Sequence, residues 1–183
     1  SGSGSDDTAP DPLEGRETIN LQANHPAFRY DGRFDRAPTA PEAEQPATTA
    51  PGDNESVCGW PGCTVAIRAN ATDFIATLDD RSGDAPNNLI AVWVDGKELP
   101  SIELQDGIHE VVLAQDLEPG EHTVVFGKRT ETHYGTIAFQ GMRLVHALET
   151  PAPAPAKSGL IVEFIGDGME GGHGVFGSLD ARS

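Results

Sequence analysis

The sequence predicts an all-β protein built as an antiparallel β-sandwich, and three observations support this prediction. Short segments in which apolar and polar residues alternate follow one another from residue 57 to residue 146, as in strands with one buried face. Turn residues such as Asp95-Gly96 and Pro119-Gly120 separate these segments at the spacing typical of a sandwich. No amphipathic helical stretch of useful length precedes residue 150.

Each predicted strand has its own pattern of apolar positions. Phe74, Ala76 and Leu78 fall on one face of a strand, so that face is expected to be buried. The segment Leu89–Val94 is apolar on both faces, which predicts a central strand with Trp93 in the core. The predicted strands are Thr18–Gln22, Ala27–Asp35, Thr64–Arg68, Phe74–Leu78, Leu89–Val94, Ile102–Leu104, His109–Leu113, His122–Lys128 and Thr136–Leu144.

Composition divides the chain into segments. The sandwich is expected to follow a polar N-terminal arm that is disordered or extended. A proline-rich stretch with no aliphatic side chain larger than alanine interrupts it as a surface loop. A stiff Pro/Ala linker then leads to an orphan strand and a Gly-rich tail. The segments are the arm 1–16, the sandwich 17–149 with its loop 37–53, the linker 150–158, and the strand and tail 159–183.

The chain is strongly acidic, with 29 Asp and Glu against 12 Lys and Arg and a formal net charge of −17 at pH 7. Such a charge argues against nucleic acid and anionic membrane surfaces as partners. No run of about 18 apolar residues exists, so no membrane span is expected. Because the sequence has neither a calcium-type Asp/Asn loop nor a paired His motif, we expect no metal ion and no cofactor.

The two cysteines lie close together in the segment Cys58-Gly-Trp-Pro-Gly-Cys63. An even count at short spacing favours one local disulfide, which suits an oxidising, extracellular compartment. Two free thiols and intermolecular bridges are the alternatives. The spacing excludes a Cys-x-x-Cys redox motif, and metal binding would need further ligands nearby.

A series of short motifs runs through the body and the tail of the chain. The motifs are FRYDGRF at 28–34, WPG at 60–62, VDG at 94–96, LEPGEHTVVFGKR at 117–129, GTIAFQG at 135–141 and IVEFIGD at 161–167. Their order and spacing resemble the family 2 carbohydrate esterases. The resemblance implies a secreted protein in which a short linker joins an N-terminal jelly-roll domain to an SGNH-type esterase domain. It also implies a substrate class, acetylated plant polysaccharides such as xylan and glucomannan.

The chain departs from this family at the position of the nucleophile. The family's first esterase strand ends in Gly-Asp-Ser, whereas this chain has Gly166, Asp167 and Gly168 there. Glycine has no side chain that could attack a carbonyl carbon. The family's catalytic histidine would lie downstream of Ser183. We therefore expect that the chain as it stands is not an enzyme, although its relatives are esterases.

Several aromatic and basic residues are candidates for contact with a sugar, because an aromatic ring can stack on the apolar face of a pyranose. Trp60, between the cysteines, is expected to be exposed. The polar cluster after the strand His122–Lys128 would either face a sugar or pack structurally. Asp79-Asp80-Arg81 is expected to form a strand-end turn with a local ion pair. The candidate sugar contacts are Trp60, Tyr30, Tyr134, Lys128 and Arg129.

Three functions from different classes follow from these observations. In the first, a non-catalytic sandwich assembles into oligomers or filaments because its orphan strand joins the sheet of a neighbouring copy. In the second, the chain is a truncated or inactivated fragment of a secreted polysaccharide deacetylase. In the third, it is a carbohydrate-binding module. The residues of the predicted assembly strand are Leu160, Ile161, Val162, Phe164 and Ile165.

Overall fold

Two antiparallel sheets packed face to face make up the fold. The computed structural model describes residues 13–36 and 54–154. The strands are β1 (Glu17–Gln22), β2 (Arg29–Asp31), β3 (Asp35–Arg36), β4 (Ser56–Cys58), β5 (Thr64–Asn70), β6 (Asp73–Arg81), β7 (Leu89–Val94), β8 (Lys97–Glu103), β9 (Gly107–Ala114), β10 (Glu121–Lys128) and β11 (Thr136–Ala147). The six-stranded sheet has the order β3-β4-β11-β6-β9 with β1 beside β11, and the five-stranded sheet has the order β2-β5-β10-β7-β8. This arrangement confirms the predicted all-β, antiparallel jelly-roll sandwich.

The core lies between the two sheets because alternate side chains of each strand point inward. Phe74 and Phe139 come from the six-stranded sheet and Val124 from the five-stranded sheet, and all three are almost completely buried. The Phe139 ring meets Phe28 and Phe126 edge-on, with ring centroids 5.0 and 5.3 Å apart. Because burial of each large apolar side chain contributes about 1.5–3 kcal/mol, these contacts hold the sheets together.

The 12-residue strand β11 organises the six-stranded sheet. One of its edges pairs with β6, whereas the other pairs with β4 near its start and with β1 towards its end. A bulge after Phe139 separates the two halves. At Gly141 a Cβ atom would lie 2.4 Å from the carbonyl oxygen of Leu21, so only glycine lets β1 approach this closely.

The early strands differ from those predicted. The segment Ala27–Asp35 is predicted as one strand, but it contains β2 and the start of β3, which belong to different sheets. The chain turns between them at Gly32, which has a φ of 99°. The strand β4 is absent from the predicted set, and β8 begins at Lys97, directly after the Asp95-Gly96 turn, rather than at Ile102.

Trp93 lies on the outer side of β7 and is half-buried, which corrects the prediction that it belongs to the core. Its neighbour Val92 points inward and is fully buried. Because successive side chains of a strand point to opposite faces, β7 places only one of these two residues between the sheets. The strand itself lies between β10 and β8, as expected for a central strand.

Residues 149–154, which we call the strap, cross the outer face of the five-stranded sheet beside β5. The Leu148 N–H donates to the Asn70 carbonyl at 3.0 Å where the strap begins. The Ala154 N–H donates to the Pro26 carbonyl at 2.9 Å where it ends. The part of the predicted linker that the structure describes therefore lies against the sandwich.

The strap covers part of a sheet face that would otherwise meet solvent. Pro151 is buried, and Ala66 is only 5% exposed although it points outward from β5. A groove of about 520 Å³ remains between the strap and the sheet, and Arg29, Arg68 and Thr123 are among the residues that line it.

Several predicted features lie outside the described residues. These are most of the arm 1–16, the loop 37–53, the end of the linker 150–158, and the tail 159–183 with the assembly strand, Gly166, Asp167 and Gly168. The predicted segment boundaries therefore stay predictions. Within the part of the chain that the structure does describe, no helix has the length and apolar character needed to span a membrane.

A histidine clamp holds the turn between β7 and β8 to the start of β10. His122 Nδ1 lies 2.7 Å from an Asp95 carboxylate oxygen, and Nε2 lies 2.8 Å from the Glu118 carbonyl oxygen. Since both partners can only accept hydrogen bonds, the ring makes both bonds as a donor only when it is protonated. The Thr123 N–H also donates to Asp95, at 2.8 Å.

The clamp shifts two pKa values. Burial of the ring lowers the pKa of His122, but the hydrogen bonds with Asp95 and the Glu118 carbonyl outweigh it, so the net shift is upward. The hydrogen bonds from His122 and Thr123 lower the pKa of Asp95. The histidine therefore stabilises the fold fully below its ordinary pKa of 6.5, and this contribution is lost as the pH rises through the raised value. Asp95 stabilises the fold fully at pH values above its ordinary pKa of 3.8, and this contribution is lost as the pH falls through the lowered pKa.

We predict that His122→Gln loses most stability relative to the wild type between about pH 4 and 6.5, where both charges of the clamp are present. The difference in the free energy of unfolding should shrink as the pH rises through the raised pKa of His122, because the wild-type ring then loses its proton. Urea unfolding at a series of pH values measures this difference. The matched control is His109→Gln at an exposed position of β9, which removes a histidine without changing the clamp. A deficit for His122→Gln that does not change as the pH is raised from acidic to alkaline values would contradict the clamp.

Candidate functional site

A short loop closed by a disulfide bond connects β4 to β5. Cys58 ends β4 and is bonded to Cys63, which directly precedes β5, as the cysteine spacing predicts. Both half-cystines are buried. Between them, two glycines and a proline leave Trp60 as the one large side chain of the loop. We call residues 58–63 the cystine loop.

The end of β10 holds the cystine loop in place. The Gly62 N–H donates to the Lys128 carbonyl at 2.9 Å, and the Lys128 N–H donates to the Cys63 carbonyl at 3.1 Å. At Gly127 a Cβ atom would lie 2.6 Å from the Cys63 carbonyl oxygen, so this close approach requires glycine. Backbone hydrogen bonds and the disulfide together fix the loop.

Trp60 projects from the cystine loop and is 51% exposed. The guanidinium carbon of Arg33 lies 5.7 Å from the centroid of its ring, within the range of a cation–π interaction. Arg33 directly follows Gly32, so the turn that ends β2 is also what brings the arginine beside the loop. The sequence does not predict that Arg33 lies next to Trp60, because their proximity depends on how β2 and β5 pair.

Two of the other predicted sugar contacts are buried. Tyr134 and Lys128 are 5% and 4% exposed, so their side chains do not reach a ligand in solvent, contrary to the prediction. Tyr134 lies in the single turn of 3₁₀ helix at Thr132–Tyr134 and contacts the His133 ring. Tyr134 and Lys128 instead pack inside the protein, which is the alternative predicted for the polar cluster after the strand His122–Lys128.

The remaining two predicted contacts differ from each other. Tyr30 is half-buried, because its ring packs edge-on against Phe34 and its hydroxyl donates to the Ala23 carbonyl at 2.5 Å. Arg129 is exposed and donates to the Ser101 hydroxyl at 2.7 Å. Trp60 is therefore the aromatic member of the predicted set that offers most of its side chain to solvent.

A buried polar network next to the cystine loop joins the two sheets. Asp80 of β6 accepts hydrogen bonds from the backbone and side-chain amides of Asn88, at 3.0 and 2.6 Å. The Thr130 hydroxyl donates to the side-chain oxygen of Asn88 at 2.5 Å. Asp80 thus lies in a strand with its side chain buried, which corrects the predicted turn. The predicted local ion pair is present between Asp79 and Arg81, at 2.7 Å.

Lys128 brings a positive charge into this network. Its ammonium group donates to the carbonyl and hydroxyl oxygens of Thr130, at 2.7 and 3.0 Å, and to the Glu131 carbonyl at 2.9 Å. Burial lowers the pKa of Lys128 to about 8, while the charges of Asp80 and Glu131 act in the opposite direction. Three acceptors match the three N–H donors of an ammonium group, so a buried charge is accommodated here.

The chemistry that the cystine loop offers is that of a binding surface. Its exposed groups are an indole, which provides a large apolar face, and the neighbouring guanidinium, which carries a positive charge. Within residues 13–36 and 54–154, no three His, Cys, Asp or Glu side chains are grouped so that they could hold a metal ion.

Comparison with known proteins identifies the sandwich. Residues 48–155, more than half of the chain, match the family described as the carbohydrate esterase 2 N-terminal domain. The chain belongs to this family. The match confirms the resemblance to family 2 carbohydrate esterases that the motifs indicate.

Individual relatives of this carbohydrate esterase 2 N-terminal domain are longer proteins. The cellulase/esterase CelE of Acetivibrio thermocellus is 29% identical over 161 residues, which cover 87% of this chain but 17% of CelE. A family two carbohydrate esterase from Cellvibrio japonicus superposes with a TM-score of 0.62 at 22% identity, over 76% of this chain and 36% of that one. A family two carbohydrate esterase from Clostridium thermocellum, solved in complex with cellohexaose, gives a TM-score of 0.56 at 26% identity, over 70% and 34% of the two chains. This chain therefore spans about a third of the length of each of these two solved esterases.

We predict that Lys128→Met lowers the free energy of unfolding by about 3 kcal/mol, because it leaves buried acceptors without a donor and the Asp80 carboxylate without a nearby cation. Chemical denaturation measures the change. The matched control is Arg129→Met, at the next and exposed position, which should stay within about 0.5 kcal/mol of the wild type. Equal effects of the two substitutions would contradict the role assigned to the buried ammonium.

Proposed function

We propose that this chain acts as a non-catalytic, extracellular accessory domain of a carbohydrate esterase and that it contacts polysaccharide. The observation that carries the proposal is the match of residues 48–155 to the N-terminal domain of that esterase family. In such a protein the ester is cleaved elsewhere, and the sandwich serves to hold the enzyme and its polymeric substrate together.

The absence of catalysis by this chain is supported by its residues at the family's nucleophile position. The motif resemblance aligns the family's serine with Gly168, and a glycine cannot form an acyl-enzyme. An oxyanion hole without a nucleophile would not give the usual turnover. The same glycine also fits the alternative that the chain is a truncated or inactivated fragment of a secreted polysaccharide deacetylase. That alternative differs from the proposal because such a fragment would have no binding role.

The relatives support contact with polysaccharide, and the net charge of the chain indicates which class of polysaccharide suits it. A solved esterase that is 26% identical to this chain has cellohexaose bound, and CelE is named a cellulase as well as an esterase. The net charge of −17 would repel polyanionic polymers. A neutral β-linked glycan therefore suits this chain better than a polymer of uronic acids.

An extracellular location is supported by the disulfide between Cys58 and Cys63. Disulfides persist in oxidising compartments and are rare in the reducing cytosol. Plant-type polysaccharides are also too large to enter a cell, so a protein that contacts them acts outside it.

The proposal predicts binding without hydrolysis. In native gels that contain glucomannan, xylan or hydroxyethyl cellulose, the purified chain should migrate more slowly than in gels without polymer. Incubation with acetylated xylan and acetylated glucomannan should release no acetate above the level of a heat-denatured sample. Release of acetate would contradict the non-catalytic role, and unchanged migration with every polymer would contradict the contact with polysaccharide.

Self-assembly by strand exchange is a second candidate function, and one observation favours it. The strand β9 forms an edge of the six-stranded sheet, and no described strand pairs with its outer side. It carries two exposed apolar side chains, Ile108 at 53% and Val112 at 44%. An edge of this kind can accept an added strand, and the apolar segment 160–165 of a second copy would supply one.

Self-assembly predicts that the purified chain forms oligomers or filaments in light scattering and negative-stain microscopy. Deletion of 159–183 should abolish them, because it removes the donated strand. Val112→Lys, which places a charge on the accepting edge, should weaken them. A monodisperse particle near 19.3 kDa for the full chain would contradict assembly.

A further inference from the structure

Trp60 stands out among the exposed apolar side chains of the described residues. The large apolar side chains that are most exposed there are Trp60, Ile108, Val112 and Leu148. Trp60 is the aromatic one of these four. An indole presents a flat apolar face with a polarisable π system, whereas the three aliphatic side chains offer no such plane.

The cystine loop holds the backbone that carries this indole in place. The disulfide joins the two ends of the loop, and the hydrogen bonds between Gly62, Cys63 and Lys128 attach it to β10. Behind the loop, the buried network around Lys128 connects β10 to β6. A loop that is already fixed loses little backbone freedom when a ligand binds, so less affinity is lost to ordering.

Arg33 gives the indole a polar neighbour. Its guanidinium carbon lies 5.7 Å from the centroid of the ring. The guanidinium lies over the ring, so it covers one face of the indole and leaves the opposite face for stacking. The C–H face of a pyranose matches that remaining apolar face of the indole.

We propose that Trp60 and Arg33 form a binding site for a neutral β-linked glycan, in which one pyranose ring stacks on the indole face opposite Arg33 and the guanidinium holds the indole from its other face. This inference rests on the proposed contact with polysaccharide and assigns it to one place. A single stacked ring gives weak binding, so the site suits a polymer that presents the same unit many times. Polygalacturonate should be excluded, because the chain carries a net charge of −17.

The two tryptophans of the chain provide an internal control. Trp93 is half-buried on the outer side of β7, in a different environment from the cystine loop. Each indole N–H gives its own signal in a nitrogen-15 NMR spectrum. Titration of the full chain with cellohexaose, xylohexaose and mannohexaose should shift the Trp60 signal and leave the Trp93 signal in place.

Substitutions then test the site. Trp60→Ala should weaken binding about tenfold or more, because it removes the stacking surface. Arg33→Met should weaken binding several-fold while the indole remains. Trp93→Phe is the matched control and should bind as the wild type does. Because Trp60 is exposed, its variant should keep the thermal unfolding curve of the wild type, and Trp60→Phe, which retains an aromatic ring, should keep part of the binding.

The outcomes separate this site from the function on which it rests. Binding by the wild type and by Trp93→Phe, together with loss in Trp60→Ala, supports the site. Equal binding by the wild type and Trp60→Ala overturns the site and leaves the contact with polysaccharide intact. No binding of any of the three oligosaccharides or their polymers by the wild type overturns both.

Discussion

The buried ammonium of Lys128 is the interaction on which the end of the sandwich that carries Trp60 depends. Its charge lies among oxygens of Thr130 and Glu131, within the field of Asp80 from the opposite sheet. The backbone of the same residue accepts from the Gly62 N–H and donates to the Cys63 carbonyl, so the network and the cystine loop share one strand end. Such a network is costly when incomplete and rigid when complete. The disulfide-closed loop is therefore anchored on a strand end that buried polar groups hold in place.

Much of the fold follows from patterns that are local in the sequence. Alternation along β5, β6, β10 and β11 marks these strands because each has one face in the core. Alternation does not predict the turn at Gly32 or the short strand β4, because both depend on pairing with strands that are distant in sequence. Trp93 shows a further limit: an apolar run does not reveal which of its faces the second sheet covers.

The site was predictable only in its chemistry and not in its geometry. A tryptophan between two cysteines, flanked by glycine and proline, already indicates an exposed and constrained ring. Lys128 and Tyr134 have the composition of a surface cluster, and their burial follows from partners such as Asp80 and Asn88 that no periodicity connects to them. From sequence alone, a charged residue is predicted to be exposed. Its burial can be predicted only when its partners are known, because these partners offset the free-energy cost of removing the charge from water.

The strap also determines how a pulling force would enter the domain. Any load on the chain beyond residue 154 reaches the bond between Ala154 and Pro26 first, then the buried Pro151, and then the bond between Leu148 and Asn70. These attachments lie outside the ladders of β11, so they would fail one after another while the six-stranded sheet stays intact. Release of the strap would lengthen the tether by about 20 Å at the rise of an extended chain. A domain held on a polymer would thus yield first at its edge, at a force below the one that opens its sheets.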